Sequence, residues 1–565
     1  VQDDPRRDPA ELKFSHTYAR RRYVRRCAAE RAVHRTAIHH STKQAAMADI
    51  VLINPRFEVS YWGLEHALPL LGKKCNLPTA CLPLLAALTP AGHSVTIVDE
   101  NVEPIDYDRL ALADIVALTG MTVQRGRMRE ILRELKTRDV FTVVGGPWVT
   151  VQEDYFEGLA DVIFIGEAET TWPQFLEEWA VGRHGRRYEQ LEATDMTRVP
   201  VPRYDLLKAK DYLFGSVQFS RGCPFQCEFC DIIVTFGRRP RLKTSAQVIA
   251  ELEALRKQQL KIAFIVDDNL IGNKAAVKKL LRDLAAWQAA EGYPFTFFTE
   301  ASLNLAEDEE MMQLMDAANI VTVFIGIESP NEESLRETKK YQNVKKAGSI
   351  VDRVRKVQDS GIEVWCGMIV GFDHDDTRIF KAQNEFLRQT DIMHAMVGML
   401  SAIPKTPLHA RLKDEGRLDL DDEQPFGTNV IPLGMTRDEL RDGYIGLMRD
   451  LYDPEFYFER LENLFLTRQF NWARTRNAYW RRHPWRKWKS QSVDALLAIG
   501  LFLRLMKNVP DPELRRIYRR RMTTMVRRRP DPNLLFICVI KCAMHYHHYT
   551  MSRQMAEEHR LVNTF

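Results

Sequence analysis

Three cysteines, Cys223, Cys227 and Cys230, fall within the run Ser-Arg-Gly-Cys-Pro-Phe-Gln-Cys-Glu-Phe-Cys-Asp at 220–231. No other feature restricts the fold so tightly. Three residues and then two separate the thiols, so all three lie on one short loop that a surrounding framework has to hold still. A disulfide would need no third cysteine, and a structural zinc site would need a fourth ligand close by. Three thiolates in this order can hold three irons of a [4Fe–4S] cube and leave the fourth iron open to a small molecule. Phe229 stands where it would shield such a cluster, and Gly222 and Pro224 shape the turn. The competing reading is a buried cysteine cluster or a partial zinc knuckle.

The rest of the chain is ordinary for a globular protein. Its 565 residues are 45% hydrophobic and 28% charged, with room for two or three domains. Nine cysteines, three of them in one motif, make no disulfide framework, and a reducing cytoplasm fits. The net charge of +4 hides an asymmetry: residues 471–565 carry 20 Lys+Arg against 6 Asp+Glu, and residues 1–46 carry 11 against 5. An acidic body of −16 between two basic ends is what remains. No apolar run reaches the roughly 18 residues of a membrane-spanning helix. Residues 1–46 lack the apolar core of a secretory signal and read as a basic leader, disordered or an over-extended start. Met47-Ala-Asp-Ile-Val-Leu-Ile-Asn-Pro reads as the natural beginning.

From 47 to 185 short β-rich runs alternate with helical stretches, which predicts a flavodoxin-like parallel sheet covered on both faces. Small residues follow several strand ends, Gly120, Gly145, Gly146 and Gly166 among them, where such sheets bind ligands. Residues 186–205, with Val-Pro-Val-Pro, read as a stiff linker. From 206 to 410 six strand-then-helix units are legible, counting the strand before Cys223. Polar groups recur at their strand ends: Asp267, Asp268 and Asn269, then Glu300, Ser302 and Asn304, then Glu328. A barrel builds its active site at that end. Residues 411–470 read as a helical cap and 471–565 as a basic helical tail.

The cysteine run resembles the signature of the radical S-adenosylmethionine (SAM) superfamily, whose fold is a partial (β/α)6 barrel. The module order from Met47 to about Phe465 resembles the cobalamin-binding subfamily that includes the hopanoid C-methylases. The runs Val-Asp-Asp-Asn-Leu-Ile-Gly-Asn-Lys at 266–274 and Thr-Glu-Ala-Ser-Leu-Asn-Leu at 299–305 carry that match. The resemblance implies a [4Fe–4S] cluster on Cys223, Cys227 and Cys230 and a deoxyadenosyl radical made from SAM. It implies that Asp267, Asp268 and Asn269 meet the SAM amino group. It places Glu300 with Ser302 or Asn304 at the ribose, and Glu328 at SAM or substrate, the candidate catalytic residue. It also implies cobalamin on the first domain, with Tyr61, Trp62, Gly120, Gly145, Gly146, Gly166 and Glu167 lining the corrin. The Asp-x-His-x-x-Gly motif that supplies an axial histidine in other cobalamin proteins is absent; His66 and His93 are the domain's candidates.

The expected function is therefore a methylase of an unactivated carbon on an apolar, lipid-like small molecule, fed by an electron donor such as flavodoxin or ferredoxin. Alternatives are a non-methylating radical enzyme (an anaerobic oxidative cyclase or rearrangase) and an RNA-modifying protein. The methylthiotransferases of the latter class carry a second cysteine triad in their first domain, where this chain has only Cys75 and Cys81. The tail interleaves aromatics and cations at 476–489 around apolar stretches too short to span, the make-up of an interfacial helix. Peripheral contact of 471–565 with the inner membrane face, nucleic-acid binding and plain packing on the body are its three readings, nucleic acid being the least favoured.

Overall fold

Short apolar runs separated by helical stretches organise the chain into two parallel sheets. The computed structural model describes residues 47–344, 348–421, 426–558 and 561. The reading of 1–46 as a leader lies outside the described residues. The first sheet contains β1 (Asp49–Asn54), β2 (Ser94–Asp99), β3 (Ile115–Thr119), β4 (Thr142–Gly145), β5 (Val162–Ile165) and β6 (Arg187–Glu189). Its order is β2-β1-β3-β4-β5-β6, all parallel, so the chain reverses its winding at the β1/β3 crevice. Val51 and Ile53 of β1 face one apolar cluster with α2 (Arg125–Lys136); Ile50 and Leu52 face another with α1 (Cys81–Leu88) and α3 (Thr171–Ala180). A sheet buried on both faces reads as an unbroken apolar run, which is what β1 is.

The sixth strand corrects the linker expected at 186–205. Arg187–Glu189 pairs with β5, but only Tyr188 points inward, between two exposed charges. Three residues with one apolar side chain leave no run to detect.

The second sheet joins β7 (Gly215–Val217), β10 (Ile262–Ile265), β11 (Thr296–Glu300), β12 (Ile320–Glu328), β13 (Glu363–Val370) and β14 (Ala395–Met399) in the order β14-β13-β12-β11-β10-β7. All neighbours are parallel, the geometry of the expected open (β/α)6 barrel. Between β7 and β10 the two-residue strands β8 (Ser220–Arg221) and β9 (Arg241–Leu242) form an antiparallel ribbon. Helices α4 (Ser245–Lys257), α5 (Lys274–Glu291), α6 (Glu309–Ala317), α7 (Ile350–Asp359) and α8 (Ile379–Thr390) follow the strands. Their starts are written locally: Thr244 and Gln247 make a capping box on α4, as Ser349 and Asp352 do on α7.

An open barrel has two free edges, and both are blunted. The Tyr444 and Tyr452 hydroxyls donate to the Val397 and Ala395 carbonyls of β14 (3.2 and 2.9 Å), and Tyr204 donates to Ser216 of β7 (2.8 Å). Tyr444 lies on α9 (Arg437–Leu451), Tyr452 beside it before α10 (Pro454–Glu462). Next come α11 (Arg474–Arg482), α12 (Pro484–Asn508), α13 (Pro512–Arg528) and α14 (Pro532–Glu558). The tail is thus built into the body through α14, whose Cys538, Val539 and Cys542 are buried in the same apolar cluster as the barrel strands.

Candidate active site at the carboxyl ends of the barrel strands

The cysteine loop springs from the β8–β9 ribbon and is pinned at its root by the two aspartates that end β10. Asp267, 1% exposed, accepts from the Phe219 amide and the Ser220 hydroxyl (2.7 and 2.6 Å), so its oxygens are spent on backbone placement. Asp268 accepts from the Gly222 amide (2.7 Å). Gly222 holds φ +95°, and a Cβ there would lie 2.9 Å from the Gly237 carbonyl oxygen; no other residue fits. Beyond it, Cys223 donates its amide to Gly237 and Cys230 to Cys227. Glu228, inside the loop, pairs with Lys339 (2.7 Å) and lies 3.5 Å from Arg411. These ties fix the loop from three sides.

The three thiols are free, and two of them meet amides. Gln342 Nε2 lies 3.3 Å from Cys227 Sγ, and Asn269 Nδ2 lies 3.8 Å from Cys223 Sγ. Among the described residues no three Cys, His, Asp or Glu groups converge on one ion position. Three thiolates on one short loop can each ligate a separate iron of a cube. Burial pushes the Cys223 and Cys230 thiols up, so iron would have to displace their protons on binding. The donor set therefore fits a [4Fe–4S] cluster. Phe229 stands 6.3 Å from Phe372, with the Lys340 ammonium 5.8 Å from its ring.

Beside the loop lies a set of carboxyls. Burial pushes Asp267 up to about 7, Asp268 to about 6 and Glu300 to about 8, the two aspartates adding to the effect on Glu300. Asn269 donates to the Ser302 hydroxyl (3.1 Å), which donates to Asn304 (2.6 Å). Asp268, Asn269, Glu300, Ser302 and Asn304 are thus brought together; Asp267 is behind them. The set fits SAM, whose ammonium and ribose hydroxyls would give these carboxyls the donors they lack. Glu328, at φ +67°, is ion-paired with Lys340 (2.6 Å). Because a native carboxyl at about 8 holds a proton the unfolded chain releases near 4.5, Glu300 lowers stability as pH rises between those values. Glu300→Gln is expected to raise the melting temperature progressively from pH 5 to pH 8, measured without SAM; a pH-independent difference would refute this.

Below the polar rim the barrel lumen is aromatic. The outward-facing Ala263, Ile265, Phe297, Val323 and Ile325 are fully buried, while the alternating Phe264, Phe298, Phe324 and Trp365 are only half-buried. Half-buried rings in the middle of central strands face internal space. Phe264 and Phe298 stack at 4.6 Å, Phe298 lies 6.3 Å from Trp365, and Trp62 reaches in to within 5.2 Å of Phe324. At the amino ends of the strands, Glu363 accepts from the Trp365 indole (2.8 Å) and pairs with Lys541 of α14.

Tyr61 and Trp62, expected along a corrin, pack toward the barrel. They belong to the barrel's apolar cluster, Tyr61 stacking on His548 of α14 at 4.6 Å. The loop after β1 starts at the first sheet's carboxyl edge and leaves it for the lumen. Glu167 is also engaged elsewhere. It pairs with Arg221 (2.7 Å) and Arg241 (2.8 Å), Glu169 joins Arg221 at 2.6 Å, and the network clamps the first sheet to the cysteine loop. Burial acts to raise the Glu167 carboxyl, but the Thr194 amide and the two guanidiniums outweigh it and hold it below the usual range.

What remains at that edge are the glycines and unpaired donors. A Cβ on Gly146 would lie 2.4 Å from Thr119 Oγ1, and one on Gly120 2.6 Å from Met128 Sδ, so backbone turns close there that side chains would pry open. Gly145 and Gly166 continue the row, Gly166 donating to Thr150. Trp148 Nε1 and Asn54 Nδ2 are buried there without partners, as befits a site for a ligand rich in amide carbonyls. Cobalamin is such a ligand, and the edge fits it. His93 binds the Ala48 amide at the opposite end of the sheet and His66 packs on His547, so neither reaches the edge. Sequence reasoning missed Lys340, Gln342, Glu363 and Lys541, which come from segments without a motif.

Comparison with known proteins completes the description. A family model for the radical SAM superfamily matches residues 217–381, a B12 binding domain matches 77–176, and a domain of unknown function, DUF4070, matches 406–560. The last spans both the expected cap and the expected tail. The chain is 41% identical over 423 residues to an uncharacterized methyltransferase of Synechocystis sp., covering 74% of this chain and 78% of that one. It is 35% identical over 419 residues to the hopanoid C-2 methylase of Rhodopseudomonas palustris, covering 73% and 78%. Among solved structures it is similar to the radical SAM methyltransferase TsrM of Kitasatospora setae, with cobalamin and a [4Fe-4S] cluster bound, at a TM-score of 0.57 and 17% identity over 73% of this chain and 90% of that one.

Proposed function

Because this chain belongs to the family of radical SAM enzymes with a B12-binding domain that includes the hopanoid C-methylases, we propose that it methylates an unactivated carbon of an apolar, polycyclic lipid-like molecule. It is a cobalamin-dependent C-methyltransferase with [4Fe–4S], SAM and cobalamin as its cofactors. When bound, these groups supply the radical that opens a C–H bond and the methyl group that replaces the hydrogen.

The chain's own residues bind, orient and exclude water. Cys223, Cys227 and Cys230 hold the cluster, with Asn269 and Gln342 donating toward two of the sulfurs. Asp268 and Glu300 accept from the SAM ammonium and ribose, and Asn269, Ser302 and Asn304 fix that rim. Lys340 neutralises Glu328 beside the reacting space. The observation that carries the substrate class is the lumen wall of Phe264, Phe298, Phe324 and Trp365. Flat apolar rings at this spacing suit a fused-ring hydrocarbon, for which they provide contact area without hydrogen-bond demands. An electron donor such as flavodoxin or ferredoxin, a cytoplasmic location and peripheral contact of 471–565 with the inner membrane face belong to the same reading.

The test uses the anaerobically reconstituted chain, SAM with a deuterated methyl group, and a polycyclic triterpenoid dispersed in detergent. Transfer of the labelled methyl to the triterpenoid is expected, with release of 5′-deoxyadenosine. Deoxyadenosine without label in any product would replace this reading by the oxidative cyclase or rearrangase.

A further inference from the structure

Helix α12 buries one side and leaves the other bare. Ala498, Leu501 and Leu505 are buried, and the helix packs on α14 and on the short helix Leu68–Leu71. Residues 485, 488, 496, 499 and 503 recur at helical spacing on the opposite side. There Trp485 is 80% exposed, Leu496 70%, Leu503 63%, Trp488 65% and Ile499 59%. That stripe runs about 27 Å along the helix. Most exposed apolar residues of a soluble surface are scattered singly; a row this long asks for a cover.

The surrounding charge indicates what covers it. Arg481, Arg482, Lys487 and Lys489 cluster at the tryptophan end, and none forms an ion pair among the described residues. The only acidic residue of α12, Asp494, lies toward the half-buried Arg476 rather than the stripe. Among the described residues no helix is long and apolar enough to cross a membrane, and the packed side of α12 is already occupied, so the helix can only lie flat. Amphipathic indoles at one end, aliphatic side chains behind them and uncompensated cations around them match the headgroup boundary of an anionic bilayer.

We propose that the outer face of α12 docks in the plane of an anionic lipid bilayer, Leu496, Ile499 and Leu503 entering the acyl boundary and the cations meeting phosphate headgroups. The proposal rests on the peripheral-contact part of the functional reading and not on methyl transfer, and its test needs no turnover.

The holoenzyme is floated with vesicles of phosphatidylcholine alone or mixed with phosphatidylglycerol, and its oligomeric state is followed by size exclusion. The full chain is expected to float with the mixed vesicles and to release at high salt. Leu496→Glu/Leu503→Glu is expected to lower partitioning about 100-fold or more. Arg481→Gln/Arg482→Gln/Lys489→Gln is expected to lower it about 100-fold on anionic vesicles. All substituted side chains are exposed, so unchanged melting curves are expected for both variants. Quenching of tryptophan emission by brominated lipid, lost in Trp485→Phe/Trp488→Phe, would place the indoles at the interface. Equal flotation of the leucine variant overturns the proposal. So does a full chain that ignores vesicles and dimerises through this face, with the leucine variant monomeric. Loss of flotation with intact methyl transfer to a detergent-dispersed substrate would separate the two readings.

Discussion

Cys227→Ala is expected to reduce 5′-deoxyadenosine release to background and to strip the chain of most of its bound iron, while leaving it folded. Cys227 is 6% exposed and sits midway along the loop, so its loss removes one iron's only protein ligand. The loop itself should persist, because Asp267, Asp268 and Glu228 anchor its backbone through bonds that do not involve sulfur. Circular dichroism should therefore match the parent, and anaerobic iron titration should not. Cys366→Ala is the control: that thiol is buried on β13, with neither iron content nor deoxyadenosine expected to change. A Cys227→Ala protein that keeps its iron and still cleaves SAM would move the cluster elsewhere. Loading the parent should also release protons, since burial holds Cys223 and Cys230 in the thiol form before iron arrives.

Arg221→Met should be the most destabilising single change outside the apolar core. Its guanidinium lies between Glu167 and Glu169 with all three side chains at most 10% exposed. Removing one partner leaves two buried carboxylates with Arg241 alone, a loss of about 3–5 kcal/mol. The damage falls on the junction between the two sheets, so limited proteolysis should cut at 190–205 faster in the variant. The pH dependence tests the cause. Glu167 is held below its ordinary pKa in the folded chain, so its contribution is present above the unfolded value near 4.5 and fades as pH falls through the folded one. The gap in stability between parent and Arg221→Met should narrow toward acid. A gap that stays constant as pH falls below about 4.5 would refute the charge account. Glu167→Gln with Arg221→Met should cost less than the sum of the two singles.

What could be read in advance divides along physical lines. The cysteine loop and the Asp-Asp-Asn end of β10 are local: spacing and strand-end polarity lie within a few residues of one another. The sheets follow from runs of buried β-branched residues, and the parallel order from the helices between them. The packing of Tyr61 and Trp62 on the barrel was not legible, because a loop's starting point says nothing of where its aromatics find burial. Glu167 was placed at the corrin with the strand-end glycines beside it; the Arg221 and Arg241 that engage it come from the β8–β9 ribbon, more than 50 positions on. Arg187–Glu189 is too short to carry an alternation. Lys541 and Glu363 pair across 178 positions, and no periodicity encodes such a partner.

The contact between the loop after β1 and α14 has a consequence for how the protein is made. His547 and His548 bind the carbonyls of Ser60 and Tyr61, partners 487 positions apart. At roughly 5–20 residues per second, the ribosome needs about 25–100 s to supply the second partner after the first. Only in the last part of that interval, once Met399 has been made, does the nascent barrel have its strands and its cysteine loop while lacking the helix that backs Tyr61 and delivers Lys541. Birth order thus leaves a window in which iron and corrinoid meet an unfinished wall, and the emergence of α14 decides when that window shuts.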